Sequence, residues 1–402
     1  MSISPLIKKP AEGSATATGT WPHYEADEIA AATEVLVSGR VNQWTGEKVK
    51  AFERAFATYI GQPHGVAVFN GTVALELALI ALGIGPGDEV IVTPRSFIAS
   101  ASTVTTVGAT PVFADVDRDS GNISAQTIAP RITPKTRAIL PVHLGGWPAD
   151  MPAIMALAEK HGLKVIEDCA QSQGATIDRQ HAGSFGDAAA FSFCQDKIMT
   201  TGGEGGLVLF RDRDASSRAW SYKDHGNSFA RATAPAEKPG FRFVHDSIGT
   251  NWRMIEIQAV IGLVQLGKLE RWNAERARRA EIWRSAFAEV PALRVPVPRK
   301  GVRHAWYKLH TYLEPGLLKP GVKRDDVLAA LVANGIRAFS GGCSEIYLEK
   351  AFADRNEPTR PIAKALGETN LMFEVHPTLD ETELAETARR AAQVIASFAR
   401  DA

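Results

Sequence analysis

Three cysteines in 402 residues, Cys169, Cys194 and Cys343, are too few and too scattered for a disulfide framework, which fits a reducing cytoplasm. Nothing marks any of them as a thiolate, so they read as buried small hydrophobes without a catalytic role. Net charge is absent too: 45 basic side chains cancel 45 acidic ones, leaving no broad cationic surface for nucleic acid or an anionic membrane. No window approaches the ~20 apolar residues of a membrane span, and Met1 to Pro10 lacks the apolar centre of a signal peptide. The ten histidines show no ligand spacing. His304 and His310 merely flank a strand-like run, and without HExxH or CxxC a metal site is disfavoured. What remains is a soluble globular chain, 45% apolar, long enough for a large core and two domains of unequal size.

Along that chain the hydrophobic period changes repeatedly. Two amphipathic helices are predicted between Thr20 and Gly61, one with Ile29, Ala32, Val35 and Leu36 on a face, the other with Val49, Phe52, Phe56 and Tyr59. Strand-like and helix-like segments then alternate from Val66 to Ile166, and further strands are expected at Ala188 to Phe193 and Leu207 to Phe210. Such alternation predicts an α/β fold with a mostly parallel sheet of about seven strands flanked by helices. Arg253 to Leu269 reads as a long helix continuing through the charge-rich Glu270 to Phe287, and the domain boundary is placed there: a large domain over 1–270 and a small α+β domain over 271–402. The small domain carries a strand at Trp306 to Leu313, a helix at Arg324 to Asn334 and a final amphipathic helix through Leu384, Ala388, Ala391, Val394, Ile395 and Phe398. Arg231 to Gly240 reads as a mobile loop.

The chemistry is signalled by Lys197, 29 residues beyond Asp168, which ends the apolar run Lys164-Val165-Ile166-Glu167-Asp168. Chemistry with pyridoxal phosphate (PLP) needs an amine to hold the aldehyde as a Schiff base, and a carboxylate to keep the ring nitrogen protonated so that the ring accepts electrons. Lys197 follows a predicted strand and precedes Thr200-Thr201-Gly202-Gly203-Glu204-Gly205-Gly206, and strand ends with flexible loops are where open α/β sheets hold their sites. Asn70-Gly71-Thr72 lies between a strand and a helix, either as a phosphate cradle of free amides and a hydroxyl or as an ordinary turn with a threonine cap. Ser192, five residues before Lys197, is placed to donate to the same phosphate. Phe97 opens a helix from which its ring either lies on a pyridine ring or packs in the core, and Gln171 either reaches the ring's phenolic oxygen or is a polar loop residue.

These segments resemble the DegT/DnrJ/EryC1/StrS aminotransferases, fold-type-I PLP enzymes. The carriers are Asn70-Gly71-Thr72-Val73-Ala74-Leu75, Ser96-Phe97-Ile98-Ala99-Ser100-Ala101, Glu167-Asp168-Cys169-Ala170-Gln171, Gly183-Ser184-Phe185-Gly186-Asp187, Ser192-Phe193 with Lys197 and Gly203-Glu204-Gly205-Gly206, and Asn251-Trp252-Arg253-Met254 through Gln258-Ala259. The resemblance implies that Lys197 is the Schiff-base lysine, that Asp168 pairs with the pyridinium, that Gln171 contacts the ring oxygen and that Phe97 stacks on the ring. Gly71, Thr72 and Ser192 then hold the phosphate, joined by Asn251 from the neighbouring subunit of an obligate homodimer with two shared sites. It further implies L-glutamate as amino donor, pyridoxamine 5'-phosphate during turnover, and a nucleotide-linked 4-keto-6-deoxy or 3-keto sugar as acceptor, in amino-sugar and surface-polysaccharide (lipopolysaccharide O-antigen) biosynthesis. Some relatives carry histidine in place of the lysine and remove a sugar hydroxyl; Lys197 favours transamination. The extra glycine in Gly202-Gly203 departs from the family pattern and bears on the loop after the lysine.

Cations for a sugar-nucleotide diphosphate are expected among Lys223, His225, Arg253 and Arg337, with Arg253 open to a structural role. Two other readings stay open at this level: an aminotransferase for a keto-cyclitol or other antibiotic precursor, and a PLP-binding sensor that does not turn over. The sensor is disfavoured because Lys197, Asp168 and Gln171 are all intact.

Overall fold

The computed structural model describes residues 19–234 and 244–400. Met1 to Pro10 lies outside them, as do residues 235–240 of the expected loop; the loop's first residues close a short helix, Phe229–Thr233. Two helices open the described chain, α1 (Ala26–Ser38) and α2 (Lys48–Ile60). The main sheet is then built from β1 (His64–Val68), β2 (Glu89–Val92), β3 (Thr110–Phe113), β4 (Thr136–Leu140) and β5 (Lys164–Asp168). A small hairpin, β6 (Thr176–Ile177) and β7 (Gln180–His181), precedes the last two strands of the sheet, β8 (Ala188–Ser192) and β9 (Gly206–Phe210). Between them run α3 (Gly71–Ala81), α4 (Ala99–Thr106), the single turn α5 (Ala125–Ile128) and α6 (Met151–His161).

The seven strands lie in the order β1-β9-β8-β5-β4-β2-β3. β2, β3, β4, β5 and β8 pair in parallel, whereas β9 runs antiparallel to both of its neighbours. Side chains alternate between the two faces with a period of two, and both faces are covered. Val90, Val92, Leu140, Ile166, Ala190 and Val208 point into one apolar layer, packed beneath α3 and α4; Ile91, Ile139, Val165, Phe191 and Leu209 point into the opposite one, beneath α2, α6 and the long helix below. A strand buried on both faces reads as a continuous apolar run, which is why this sheet was visible in the sequence.

Beyond β9 come α7 (Arg213–Lys223), α8 (Phe229–Thr233) and then α9 (Glu256–Phe287), an uninterrupted helix of 32 residues that passes residue 270 without a break. Its first half packs Ala259, Leu269 and Trp272 against the main sheet, and its last turns pack Ala280, Trp283 and Phe287 into a separate apolar cluster. That cluster underlies an antiparallel sheet in the order β10-β12-β14-β13, formed by β10 (Leu293–Arg294), β12 (Leu309–Leu313), β13 (Ala338–Phe339) and β14 (Asn370–Phe373). The helices of this part are α10 (Arg324–Ala333), α11 (Pro361–Thr369) and α12 (Glu381–Ala396). One strand of the C-terminal part, β11 (Val302–Arg303), leaves it to pair with β6. No described helix is long and apolar enough to cross a membrane.

The junction of α2 with α9 rests on one buried carboxylate. Glu256, the first residue of α9 and 1% exposed, accepts the backbone N–H of Lys48 at 2.6 Å and of Val49 at 3.0 Å, so it caps the N-terminus of α2 from outside. The helix dipole favours a negative charge there. Glu256→Ala leaves those amides without this partner, that of Val49 buried, and is expected to lower stability by about 2 kcal/mol; the midpoint of urea denaturation measures it, and an unchanged midpoint rejects the role.

Candidate active site

Because β1, β5 and β8 run in the same direction, their carboxyl ends share one edge of the sheet, and Asn70-Gly71, Asp168 and Ser192 gather there. A cleft of about 450 Å³ opens nearby, lined by Phe97, Gln171, Asp196, Lys197, Tyr307 and His310 among others. A larger cavity of about 690 Å³ between Arg118, Arg294, Leu318 and Ile362 contains none of the residues singled out for chemistry.

Asp168 is 4% exposed and ends β5. Its Oδ2 accepts the Ser100 hydroxyl at 2.8 Å, which is itself 3.0 Å from Ser96 Oγ, and its Oδ1 accepts the Ala170 N–H at 3.1 Å. Burial pushes the carboxyl above its ordinary value, outweighing these donors and the field of Lys197. A buried carboxylate in that condition gains from a cation brought against it.

Lys197 lies in the loop between β8 and β9, its side chain 15% exposed, with Nζ 3.6 Å from Asp196 Oδ1 and 5.0 Å from the centre of the Tyr307 ring. Tyr307 in turn donates its hydroxyl to Asp196. Burial works against the Asp196 carboxylate, but Lys197, Tyr307 and Lys308 outweigh it and hold it below its ordinary value. No strong hydrogen bond ties the lysine amine, while its backbone is fixed by Trp21 Nε1 donating to its carbonyl at 2.8 Å. In the following loop Gly202 and Gly203, the pair with the additional glycine, both adopt positive φ.

At the start of α3 the N-cap is Asn70, whose Oδ1 accepts the Val73 N–H at 3.0 Å; Thr72 is exposed and is not the cap. The first amides of α3 therefore face outward beside Ser192. A Cβ on Gly71 would lie 2.5 Å from Ser192 Cβ and 2.9 Å from its Oγ, so only glycine lets the helix start approach the end of β8 this closely. Phe97 is 68% exposed, which rules out a core position and leaves its ring as a wall of the cleft. Gln171 Oε1 accepts the Gly145 N–H at 2.7 Å, which orients the amide and leaves its NH₂ for a ligand acceptor. The donor set fits PLP: an amine, a buried carboxylate, an amide donor, an open aromatic face, and a cradle of helix amides and hydroxyls that a single methyl group would fill.

The expected diphosphate cations fare differently. Lys223 is 1% exposed, donates to Gln43 Oε1 at 2.9 Å and sits 3.8 Å from Glu53; burial pushes its pKa down, so it is an interior structural group and we withdraw it as a substrate ligand. Arg253 is bound to Asp224 at 2.6 Å, which is the structural role left open for it. Arg337 pairs with Glu374 at 3.3 Å on the surface, and His225 is exposed with a φ of 61°. None of the four lines the cleft. Asn251 is exposed and bridges to Asp224 next to His225, away from the lysine loop of its own chain's cleft lining.

The cysteine expectation needs correction. Cys169 is fully buried, but Cys194 and Cys343 are only half-buried, and Cys343 lines the cleft. Burial raises all three thiols above their ordinary value, which keeps them from being thiolates. Ligand atoms of His143, Glu167 and Cys169 come within 4.8 Å of one another, yet both Glu167 oxygens already accept donors from the Gly183, Phe185 and Gly186 amides and His143, an arrangement that anchors the Gly183–Gly186 loop. Sequence reasoning gave no role to Ser100, Asp196 or Tyr307, and weighed His310 only as a metal ligand. Only Ser100 left a signal, four residues after Ser96 in a segment already singled out.

Comparison with known proteins agrees with this geometry. The model of the DegT/DnrJ/EryC1/StrS aminotransferase family matches residues 22–390. A UDP-N-acetyl-3-dehydro-alpha-D-glucosamine 3-aminotransferase of Acidithiobacillus ferrooxidans is 40% identical over 343 residues, 85% of this chain and 87% of that one. An aminotransferase from Psychrobacter cryohalolentis, solved by X-ray, superposes with a TM-score of 0.92 at 48% identity, covering 95% of this chain and 99% of its own. An aminotransferase of Streptococcus pneumoniae in its PLP form superposes with a TM-score of 0.85 at 25% identity, covering 95% and 99%. With the family model spanning nearly all of the described residues, the chain belongs to the DegT/DnrJ/EryC1/StrS aminotransferase family and is a PLP-dependent aminotransferase of fold type I.

Proposed function

We propose that the enzyme moves an amino group from L-glutamate to a nucleotide-linked keto-sugar, and that it does so as a homodimer with shared sites. The observation that carries the reading is the grouping of Lys197, the buried Asp168 and the oriented Gln171 around one cleft beside the Gly71 and Ser192 cradle. The acceptor class is supported by 40% identity to an enzyme named for a UDP-linked 3-keto sugar.

In this reading Gly71, Thr72 and Ser192 bind the phosphate, Phe97 covers one ring face, Gln171 donates to the ring oxygen, and Asp168 holds a proton on the ring nitrogen. Bound there, PLP supplies an aldehyde that condenses with amines and a cationic ring that takes up an electron pair. Lys197 would hold the aldehyde group, and its free amine would move the proton between the donor's Cα, the cofactor's C4′ and the sugar carbon. The loose contacts of its amine at 3.6 Å and 5.0 Å leave it free to swing between these atoms.

Dimerisation is supported by large apolar side chains exposed on the protomer, Ile29, Leu36, Val37, Trp44, Phe69 and Ile248. Asn251 and His225, exposed side by side, are then the groups that reach the neighbour's phosphate and substrate. We also propose the division into a large and a small domain at the middle of α9.

Purified enzyme given PLP, L-glutamate and a UDP-linked 3-keto sugar is expected to yield the amino sugar by mass spectrometry, and Lys197→Ala to yield none while still binding pyridoxamine phosphate. Turnover by the lysine variant would reject the assignment. Asp168→Asn is expected to lower turnover by about 10² or more. Without cofactor the same variant acts oppositely. A raised carboxyl stabilises the fold fully below the ordinary carboxylate range and loses that contribution as pH rises through the folded value. The asparagine protein should therefore melt higher than the parent near about pH 7 and equal it near about pH 4; equal melting at both would argue against the buried charge. Mixing the inactive Lys197→Ala and Asn251→Ala proteins should restore about a quarter of parental activity, since half of randomly mixed dimers carry one intact site of two. No recovery after verified subunit exchange would refute shared sites.

A further inference from the structure

His310 was noted in the sequence only as one of two histidines around a strand. In the fold it stands on β12 and lines the cleft that holds Lys197 and Gln171. Its Nδ1 lies 3.0 Å from Asn370 Oδ1. The orientation of that amide is fixed on every side: Nδ2 donates to the Thr311 carbonyl at 2.9 Å and the Leu371 carbonyl at 3.1 Å, and Oδ1 accepts from Arg95 Nη2 at 2.7 Å. An oxygen that accepts from a guanidinium has only lone pairs to offer the imidazole, so Nδ1 must carry the hydrogen. Nε2 is then a bare lone pair, with no partner among the described residues, and it is not sealed from solvent. Gly145, at φ 65°, brings no side chain to that edge, where a Cβ would lie 3.0 Å from Nε2.

A second proton is kept off the ring by its surroundings. Burial, and after it the Arg95 charge, push the pKa of His310 down to about 3, with Lys308 adding in the same direction and the Asn370 bond opposing. Arg95 is itself buried and donates to Tyr312 at 2.9 Å as well as to Asn370, so this charge is held in place. The other charged groups of the cleft lining are Lys197, Asp196 and Glu349.

We infer that His310 is a specificity-determining residue for the amino acceptor: a neutral ring whose Nε2 accepts one hydrogen bond from a substrate hydroxyl or amide N–H. It offers nothing to a phosphate or carboxylate oxygen, so it reads an O–H or N–H of the acceptor and not the nucleotide phosphates or the carboxylates of the amino donor. Such a site discriminates because a ligand lacking the donor covers the lone pair and leaves it unmet. The inference rests on the keto-sugar reading proposed above.

The test takes the two half-reactions separately and reads the cofactor absorption. With enzyme in the pyridoxamine phosphate form and the UDP-linked 3-keto sugar carrying a 2-acetamido group, His310→Leu should raise the acceptor KM between about tenfold and a hundredfold. His310→Gln, whose carbonyl can accept, should recover part of that loss. The reaction of the PLP form with L-glutamate should change by no more than about twofold, since the lost bond is worth nothing to the donor. Analogues lacking either the acetamido N–H or one hydroxyl identify the source: the one that His310→Leu no longer distinguishes from the parent sugar names the group. Independently, ¹⁵N NMR of the unsubstituted protein should show His310 as the neutral Nδ1–H tautomer throughout about pH 6 to 8. A protonated ring, an Nε2–H tautomer, or an unchanged acceptor KM in the leucine variant would each overturn the inference. If the unsubstituted enzyme reacts with L-glutamate yet with no nucleotide-linked keto-sugar, the acceptor reading falls and takes this inference with it, a result distinguishable from failure of the histidine alone.

Discussion

Two adjacent carboxylates at the end of β5 divide structure from chemistry. Glu167 and Asp168 are both buried, and the pleat sends them to opposite faces. Glu167 receives three backbone amides and the ring of His143, a full set of donors, and in return fixes the turn from Gly183 to Gly186. Asp168 receives one hydroxyl and one amide, and burial drives its carboxyl upward. A charge left short of donors in a low-dielectric site is an unfavourable arrangement that persists where something else is to be bound. In the proposed reading the rest of the site is arranged around it: α3 and β8 would supply the phosphate end, Phe97 a ring face, Gln171 an edge, and Lys197 the amine.

How much of this was legible in the sequence follows from which interactions are local. The parallel strands announced themselves because Val90-Ile91-Val92 and Val165-Ile166 are covered on both faces, and burial of that kind leaves an uninterrupted apolar run. The helix over Glu256–Phe287 was legible from its helical period despite its charge-rich second half, and the boundary placed at residue 270 falls inside it, since hydrophobic period reports a helix and not what it packs against. The pairings of β11 with β6 and of β9 with β1 depend on partners distant in the chain and left no local trace. At the site, Lys197, Asp168 and the Asn70-Gly71-Thr72 turn were readable because their residue types and order are set by the cofactor's own chemistry.

Charge proved the least readable property. Lys223 and Arg253 read as free cations near loops, yet Glu53, Gln43 and Asp224 take them up from elsewhere in the chain. Tyr307 and Asp196 illustrate the converse. Neither drew notice, because a tyrosine in a strand and an aspartate in a loop are unremarkable until the fold sets one against the other beside Lys197. That contact also ties the lysine to the C-terminal part, since the Tyr307 carbonyl accepts from Arg276 of α9 at 3.4 Å and Lys308 reaches Glu374 at 3.4 Å.

The charge of the cleft bears on how the site is completed. Lys197 is the only cationic side chain among its lining residues, facing Asp196 and Glu349, and His310 is held neutral. A sugar nucleotide brings a diphosphate and glutamate brings two carboxylates, so a single protomer offers these anions one amine, and that amine is committed to the chemistry. The cations that one chain might have supplied are absorbed into its interior or paired on its surface. In the proposed homodimer a second copy would bring further donors to this lining, the exposed His225 and the uncharged amide of Asn251. The scarcity of cations in the cleft lining and the large apolar side chains exposed on the protomer both favour that proposed dimer.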